Sequence, residues 1–182
     1  MSGGREGGDG ALAPIGIGQA AGRLVPDEAY LPFLAEMVNG ARRRCLATVF
    51  IVDASSGSDS ALLVDGLLLA FAEAAWRGVD ARLVIGGSRT NRKMIEMAET
   101  ARKRAGSLAL PCRWLTSAAN RGSHAKLVIA DDRVLVGSHN WSAGAFTGQT
   151  QDSVCVSSPA LARVLGDQFE GQWRKADNRV SV

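Results

Sequence analysis

The chain has 182 residues, of which 46% are hydrophobic and 21% charged, and this balance excludes a chain that is disordered throughout. The most apolar stretch, residues 61–75, contains Asp65 and Glu73 and falls short of the roughly 20 apolar residues that a membrane span needs. The formal net charge of +3 permits an anionic partner without identifying one. The three cysteines form no CxxC pair, which favours reduced thiols over a disulfide framework or a structural zinc site.

The N-terminal segment predicts a tail. It is rich in glycine, and we expect residues 1–22 to be flexible. No basic region followed by an apolar region opens the chain, so we expect no secretory signal and a cytoplasmic location. Since no internal repeat is visible, residues 23–182 are expected to form a single domain.

The first helix is expected after Pro26, with Asp27 as its N-cap and apolar residues at helical spacing from Leu31 to Ala41. The run Arg42–Arg44 is expected to close this helix, because cations are favourable at the negative end of the helix dipole. The continuous apolar run from Cys45 to Val52 predicts a strand that is covered on both faces.

Helices and strands then alternate along the chain. The expected elements are a helix over 61–77, capped by Ser58 or Asp59 and stopped by Gly78, a strand over 81–85, a helix over 91–105 and a weaker strand over 108–115. A hairpin turn at 131–133 joins strands 126–130 and 134–136, and strand 154–156 and helix 161–173 follow. This order predicts an α/β fold in which a mixed sheet is flanked by helices on both faces.

Both histidines of the chain lie in its C-terminal part, close to other residues that can bind an anion. His124 and Lys126 stand two positions apart at the start of a predicted strand, so their side chains face the same side. Ser138 and Asn140 have the same spacing after the neighbouring strand of the hairpin. The pattern therefore predicts one pocket that contains an imidazole, an ammonium, a hydroxyl and a carboxamide.

These groups suit phosphoryl chemistry. The ammonium, hydroxyl and amide donate to phosphoryl oxygens, and histidine can act as a nucleophile and a proton donor. Fixed donors can spread the transition-state charge without a metal ion. Taken singly, each residue also has an ordinary structural interpretation, such as an edge charge for Lys126 or a turn for the Gly-Ser-x-Asn sequence.

Together, His124-x-Lys126-x₄-Asp131 and Gly137-Ser138-x-Asn140-Trp141-Ser142 resemble the signature of the phospholipase D superfamily. The resemblance covers about residues 25–176, and is closest to the small nucleases that carry one motif per chain; the superfamily also contains a branch with a mitochondrial cardiolipin hydrolase. It implies a phospholipase D-like fold and a homodimer whose two motifs share one active site.

The resemblance also implies the roles of the site residues. One His124 attacks phosphorus and forms a phosphohistidine, while the second His124 protonates the leaving oxygen and then activates water. Lys126, Ser138 and Asn140 hold the phosphate oxygens, and Asp131 is mainly structural or tunes the charge at the strand end. Neither a metal ion nor another cofactor is implied.

Two positions of the motif region carry open questions. Family members usually have a glutamate about eleven residues after the asparagine, which orients the catalytic imidazole. Here Gln151 occupies that position and Asp152 follows it; we favour Asp152 as the orienting residue. His139 occupies the variable position of the second motif half, and we expect it to be a bystander.

The preferred function is a metal-independent nuclease acting on DNA or RNA. Loop cations are expected to flank its site: Arg89, Arg92, Lys93, Arg113 and Arg121. One alternative is a phospholipid (cardiolipin-type) phosphodiesterase, for which Trp141 and Phe146 are candidate lipid contacts, although Trp141 is expected to pack inside and no stable membrane association is expected. The other alternative is a non-catalytic nucleic-acid-binding subunit of a larger complex.

Overall fold

Seven strands form one mixed sheet in the computed structural model, which describes residues 20–55, 57, 61–88, 90–115 and 123–176. The strands are β1 (Ala21–Pro26), β2 (Arg44–Val49), β3 (Asp80–Ile85), β4 (Cys112–Trp114), β5 (Lys126–Ala130), β6 (Arg133–Gly137) and β7 (Asp152–Ser157). The helices are α1 (Asp27–Gly40), α2 (Ala61–Trp76), α3 (Arg92–Ser107) and α4 (Pro159–Lys175), and a π-helical turn spans Gly144–Gly148.

The sheet has the strand order β1-β7-β6-β5-β2-β3-β4. Strands β2, β3 and β4 are parallel to one another, and the remaining neighbours are antiparallel. Helices α2 and α3 connect the parallel strands, as a parallel pair requires a crossover. A two-residue turn, Asp131 and Asp132, joins β5 to β6, so the predicted hairpin is confirmed.

Helices cover the sheet on both faces, which confirms the predicted architecture. Alternate residues of the central strands, such as Ala47, Leu83 and Val128, pack against α1, α2 and α3 in the larger core. The intervening residues, such as Leu46 and Ile129, pack with Phe169 of α4 in a smaller core. The continuous apolar run of β2 follows from burial on both sides.

The N-terminal part differs from the prediction in one element. Strand β1 begins at Ala21, two residues inside the predicted tail, and pairs with β7 along its whole length. Only Val25 of this strand is buried, so its sequence carries no clear alternating pattern. Residues 1–19, the rest of the predicted tail, lie outside the described residues, as do the proposed helix caps Ser58 and Asp59.

The ends of α1 also correct two predictions. Pro26 occupies the N-cap position, and Asp27 is the first helical residue. The helix ends at Gly40, so the arginine run does not close it. The backbone N–H groups of Arg42, Arg43 and Arg44 instead donate to the carboxylate of Asp131, which anchors the α1–β2 connection to the β5–β6 hairpin.

The other helices agree more closely with the prediction. Asn91 caps α3, and its side chain accepts a hydrogen bond from the N–H of Met94 at 3.2 Å. Gly78 follows the last turn of α2. All three cysteines are free thiols, as predicted, and burial raises the pKa of Cys112 to about 12.

Candidate active site

All the predicted site residues except Asp131 lie at one end of the sheet. Strand β5 starts there at Lys126, β6 ends there at Gly137, and β7 starts there at Asp152. The pairing Leu127↔Val136 places the start of β5 beside the end of β6. Strand β2 ends at the same edge, because Val49 pairs with Lys126. Four strand ends therefore converge where the sequence predicts the pocket.

His124 and Lys126 contact each other, as their spacing predicts. The ammonium of Lys126 lies 2.9 Å from His124 Nδ1 and donates to the carbonyl oxygen of His124 at 2.8 Å. The His124 ring is exposed and lies 4.2 Å, centroid to centroid, from the ring of Phe50. Phe50 also lies under the Lys126 ammonium at 5.0 Å, a distance at which a ring attracts a cation. The exposed imidazole thus contacts both a cation and an aromatic ring.

Phe50 is a site residue that the sequence analysis missed. It belongs to the apolar run after Cys45, where nothing marks it as different from its neighbours. Only the antiparallel pairing of β2 with β5 reveals its place, because this pairing brings the end of β2 to the start of β5.

Lys126 is nearly buried, and desolvation lowers the pKa of its ammonium group. Burial also removes water that would otherwise screen the charge. An anion that binds beside Lys126 would therefore experience a stronger electrostatic attraction than it would beside an exposed lysine. Its binding would restore part of the stabilisation that the Lys126 charge loses when burial removes water.

The side chain of Asn140 is oriented by the backbone of residues 50–52, which follow β2 and are called the β2 extension. The N–H of Ile51 donates to Asn140 Oδ1 at 3.1 Å, so the oxygen of the amide is occupied. This contact sets which way the amide points and leaves its NH₂ group as the donor that can face a substrate. The predicted role of Asn140, donation to a phosphoryl oxygen, is consistent with this orientation.

Ser138 is held by the first residue of β7. Its backbone N–H donates to the carbonyl oxygen of Asp152 at 2.9 Å, and its Oγ accepts from the Asp152 N–H at 3.1 Å. Gly137 makes this close approach possible, because a Cβ there would lie 2.3 Å from both the Asp152 oxygen and Ser153 Oγ. Ser138 therefore lies at the site edge with its hydroxyl already engaged by the β7 backbone.

The two candidates for orienting His124 make other contacts. Within the described residues, neither Gln151 nor Asp152 hydrogen-bonds the imidazole; the side chain of Gln151 donates to Gln149 Oε1 at 3.1 Å. Asp152 is exposed and contacts Ser138 through its backbone. The orienting role predicted for Asp152 stays a prediction.

Asp131 lies away from the other predicted site residues, at the opposite end of β5. It lies five positions after Lys126 along the strand direction, which corresponds to roughly 17 Å. Its carboxylate accepts backbone hydrogen bonds from Arg42, Arg43 and Arg44 at 2.8–3.1 Å. Burial raises the pKa of Asp131, but these hydrogen bonds and the Arg43 charge outweigh burial and lower it overall. This placement supports the structural role and not a catalytic one.

His139, which we expected to be a bystander, is a buried residue with several contacts. It is 1% exposed and stacks on the ring of Tyr30 with centroids 3.9 Å apart. Trp141 is fully buried, as predicted, and its Nε1 donates to Tyr30 Oη at 3.2 Å. Phe146 is partly buried against the same core. The two aromatic residues considered as lipid contacts thus pack inside the protein, fully or in part.

The predicted rim of loop cations is only partly described. Arg113 does not join it, because its guanidinium donates to the carbonyl oxygen of Trp173 at 2.8 Å and lies over the ring of that residue. Arg92 is highly exposed and pairs with Glu96 at 3.0 Å, and Lys93 is also exposed. Arg89 and Arg121 lie outside the described residues.

No helix among the described residues is long and apolar enough to cross a bilayer. No group of three or more His, Cys, Asp or Glu side chains among them is arranged as a metal-binding cluster.

Comparison with known proteins gives one family match and several similar structures. The family described as cardiolipin synthase, PLD-like domain, matches residues 34–173. Nuc from Salmonella typhimurium, a phospholipase D family member, is similar with a TM-score of 0.68 and 19% identity, over 90% of this chain and 100% of that chain. NucT from Helicobacter pylori has a TM-score of 0.60 and 15% identity, over 87% and 98%.

A phosphatidylserine synthase from Haemophilus influenzae Rd KW20 is also similar, with a TM-score of 0.64 and 12% identity, over 82% of this chain and 36% of that chain. No curated protein matches the sequence. At these identities, the similarity to solved structures shows only that the fold is shared. The family match, by contrast, rests on the sequence and covers most of the chain.

Proposed function

Because the chain belongs to the phospholipase D-like family and is an enzyme of the phosphodiesterase class, we propose that it is a metal-independent nuclease whose active site is shared by two copies. The observation that carries this proposal is the contact between the exposed His124 imidazole and the nearly buried Lys126 ammonium. A nucleophile beside a desolvated cation suits attack on a phosphate diester.

The first step of the proposed reaction forms a phosphohistidine. A ring nitrogen of His124 attacks phosphorus, the N–P bond forms, and the P–O bond to the leaving group breaks. Lys126 and the NH₂ group of Asn140 hold the non-bridging oxygens while negative charge builds on them. The leaving oxygen takes a proton from His124 of the partner subunit.

The second step releases the product. The partner subunit's His124, now neutral, takes a proton from water, and the resulting hydroxide attacks phosphorus and breaks the N–P bond. This scheme needs two imidazoles at one phosphate. The chain has two histidines, and His139 is buried, so each chain offers one accessible imidazole and a second copy must supply the other.

An uncovered apolar row beside the site supports docking of a second copy. Leu24, Val154 and Val136 are neighbours across β1, β7 and β6, and are 62%, 41% and 44% exposed. They lie on the α4 face of the sheet, where α4 contacts β2, β5 and β6. The row ends next to Ser138 and Asp152, so a copy docked there would lie close to the site.

Nucleic acid is the substrate that we favour. The net charge of +3 is compatible with an extended polyanion, and the chain matches Nuc and NucT over nearly their whole lengths. The likeness to a phosphatidylserine synthase supports the second candidate, a phospholipid phosphodiesterase. A cytoplasmic location stays a prediction.

The activity is tested with labelled DNA and RNA, single-stranded and duplex, in the presence of EDTA. We expect cleavage by the wild type, at least a 10³-fold loss in His124→Ala, and a labelled phosphohistidine that is stable to alkali and labile to acid. Vesicles that contain cardiolipin form the second arm. Cleavage of lipid alone would support the second candidate, and activity retained in His124→Ala would exclude both.

The assembly is tested by sedimentation of Val154→Asp. We expect a monomer without activity, because a charge in the apolar row disfavours docking of the second copy. Leu69→Asp is the matched control, since Leu69 is 38% exposed but lies on α2 at the opposite face of the sheet. A wild type that is monomeric at the assay concentration and still active would contradict the shared site.

A further inference from the structure

Residues 138–141 are called the motif segment, and His139 connects this segment to two other elements of the fold. Its Nδ1 lies 2.9 Å from Ser153 Oγ on β7, within hydrogen-bond distance. Its Nε2 lies 3.3 Å from Asp27 Oδ1 on α1, although the two are not aligned as a hydrogen bond. The same Asp27 oxygen accepts from the N–H of Gln151 at 2.8 Å. The imidazole therefore lies between the start of α1 and the start of β7.

The residues on either side of His139 are held by two distant parts of the chain. Ser138 pairs with the backbone of Asp152, and Asn140 accepts from Ile51 on the β2 extension. The backbone N–H of Trp141 also donates to Ile51. The motif segment thus runs from β7 to the β2 extension. The buried His139 lies between these two attachments.

We propose that His139 is a positioning residue, which fixes the segment from Ser138 to Asn140 so that the Asn140 amide faces the phosphate. This inference rests on the proposed reaction at His124. The orientation of Asn140 is sensitive to this attachment, because within the described part of the chain its side chain is held by one hydrogen bond, from Ile51. A displacement of about 1 Å at a positioning group is enough to reduce a rate substantially.

The site suits an imidazole better than other side chains. Its flat face stacks on Tyr30, one edge meets Ser153, and the opposite edge meets Asp27. Phenylalanine would keep the stack and lose both polar edges, whereas asparagine would keep one polar edge and lose the stack. Burial lowers the pKa of His139, and the carboxylates of Asp27 and Asp152 oppose this effect.

The test compares His139→Phe and Ser153→Ala, which remove the same contact from its two sides. We expect kcat to fall about tenfold in each variant while KM changes less than about twofold. In ¹⁵N-labelled protein we expect the side-chain amide signals of Asn140 to shift; these signals are identified by their loss in Asn140→Ala. Ser153→Ala carries the test if His139→Phe does not fold.

Thr48→Val is the matched control. It removes another hydrogen bond of 2.9 Å, between the buried Thr48 and Gln172, on the α4 face of the sheet. It is expected to lower the unfolding midpoint without changing kcat or the Asn140 signals. A double variant separates positioning from general stability: if His139 acts through Asn140, His139→Phe combined with Asn140→Ala has the same kcat as Asn140→Ala alone.

Additive losses in the double variant, or unchanged Asn140 signals in both His139→Phe and Ser153→Ala, would overturn the proposal. The amide signals also separate it from the proposed function. If the wild type cleaves no phosphodiester, the proposed function fails, and the shift of the Asn140 signals still decides whether His139 positions this segment.

Discussion

The structure assigns Asp131 to stability, and this assignment can be tested by Asp131→Asn. In the wild type, Oδ1 accepts from the N–H groups of Arg43 and Arg44, and Oδ2 accepts from Arg42 at 2.9 Å. The asparagine oxygen can keep two of these bonds, whereas its NH₂ group would face the N–H of Arg42. Asparagine also tolerates the left-handed backbone of this position, where φ is 52°.

The expected loss follows from these contacts. One charge-assisted hydrogen bond is replaced by two facing donors, and the other two lose the carboxylate charge, which together cost about 2 kcal/mol. For a chain of this length, the unfolding midpoint should fall by about 6 °C. Activity at 25 °C should stay within about twofold of wild type, because Asp131 lies roughly 17 Å from Lys126 along β5.

The pH dependence gives a second signature of the same contact. Because the pKa of Asp131 is lower in the folded protein, its stabilisation is complete above the pKa of the unfolded chain. It is lost as pH falls through the lowered folded value. The stability difference between wild type and Asp131→Asn should therefore be constant near neutral pH and should narrow below about pH 4.

The assay is urea unfolding followed by tryptophan fluorescence, at one protein concentration so that any assembly contributes equally to both proteins. A loss of stability below about 0.5 kcal/mol would refute the role of the three backbone contacts. A tenfold loss of activity in folded Asp131→Asn would refute the separation of Asp131 from the active site.

Two further predictions concern the site itself. Lys126→Met keeps the length of the side chain but removes its charge, and kcat should fall about 10³-fold without loss of fold. In the wild type, the lowered pKa of Lys126 should place the alkaline loss of kcat/KM below the pH at which an ordinary lysine titrates. An alkaline loss of kcat/KM at or above that pH would contradict the role of Lys126 in the reaction. Gly137→Ala should separate β7 from the site, because its Cβ would meet Asp152 and Ser153; a melting curve and an activity assay that both match wild type would refute this close approach.

The local chemistry of the site could be predicted because it depends on neighbouring residues. His124 and Lys126 face the same side of a strand through their spacing, and the short hairpin brings Ser138 and Asn140 to the same edge. The hydrophobic runs likewise predicted most helices and strands, since burial imposes a period on the sequence that does not depend on the partner element.

What local periodicity left open was decided by contacts between residues far apart in the chain. The N–H groups of Arg42–Arg44 donate to Asp131, which lies 87–89 positions away in the sequence. This contact gives a structural role to the arginine run and to the aspartate, and neither sequence segment suggests that role by itself. Strand β1 has one buried residue, and it forms because the edge of β7 is available for pairing.

Contacts between distant residues also explain why His139 is buried, although it occupies the variable position of the second motif half. Its partners Asp27 and Ser153 meet only when α1 and β7 pack beside the motif segment. Residue types and their spacing thus determined which chemistry this chain carries. The packing of distant elements decided which polar groups lie at the candidate site and which hold the framework, because a hydrogen bond depends on distance and angle in space and not on separation in sequence.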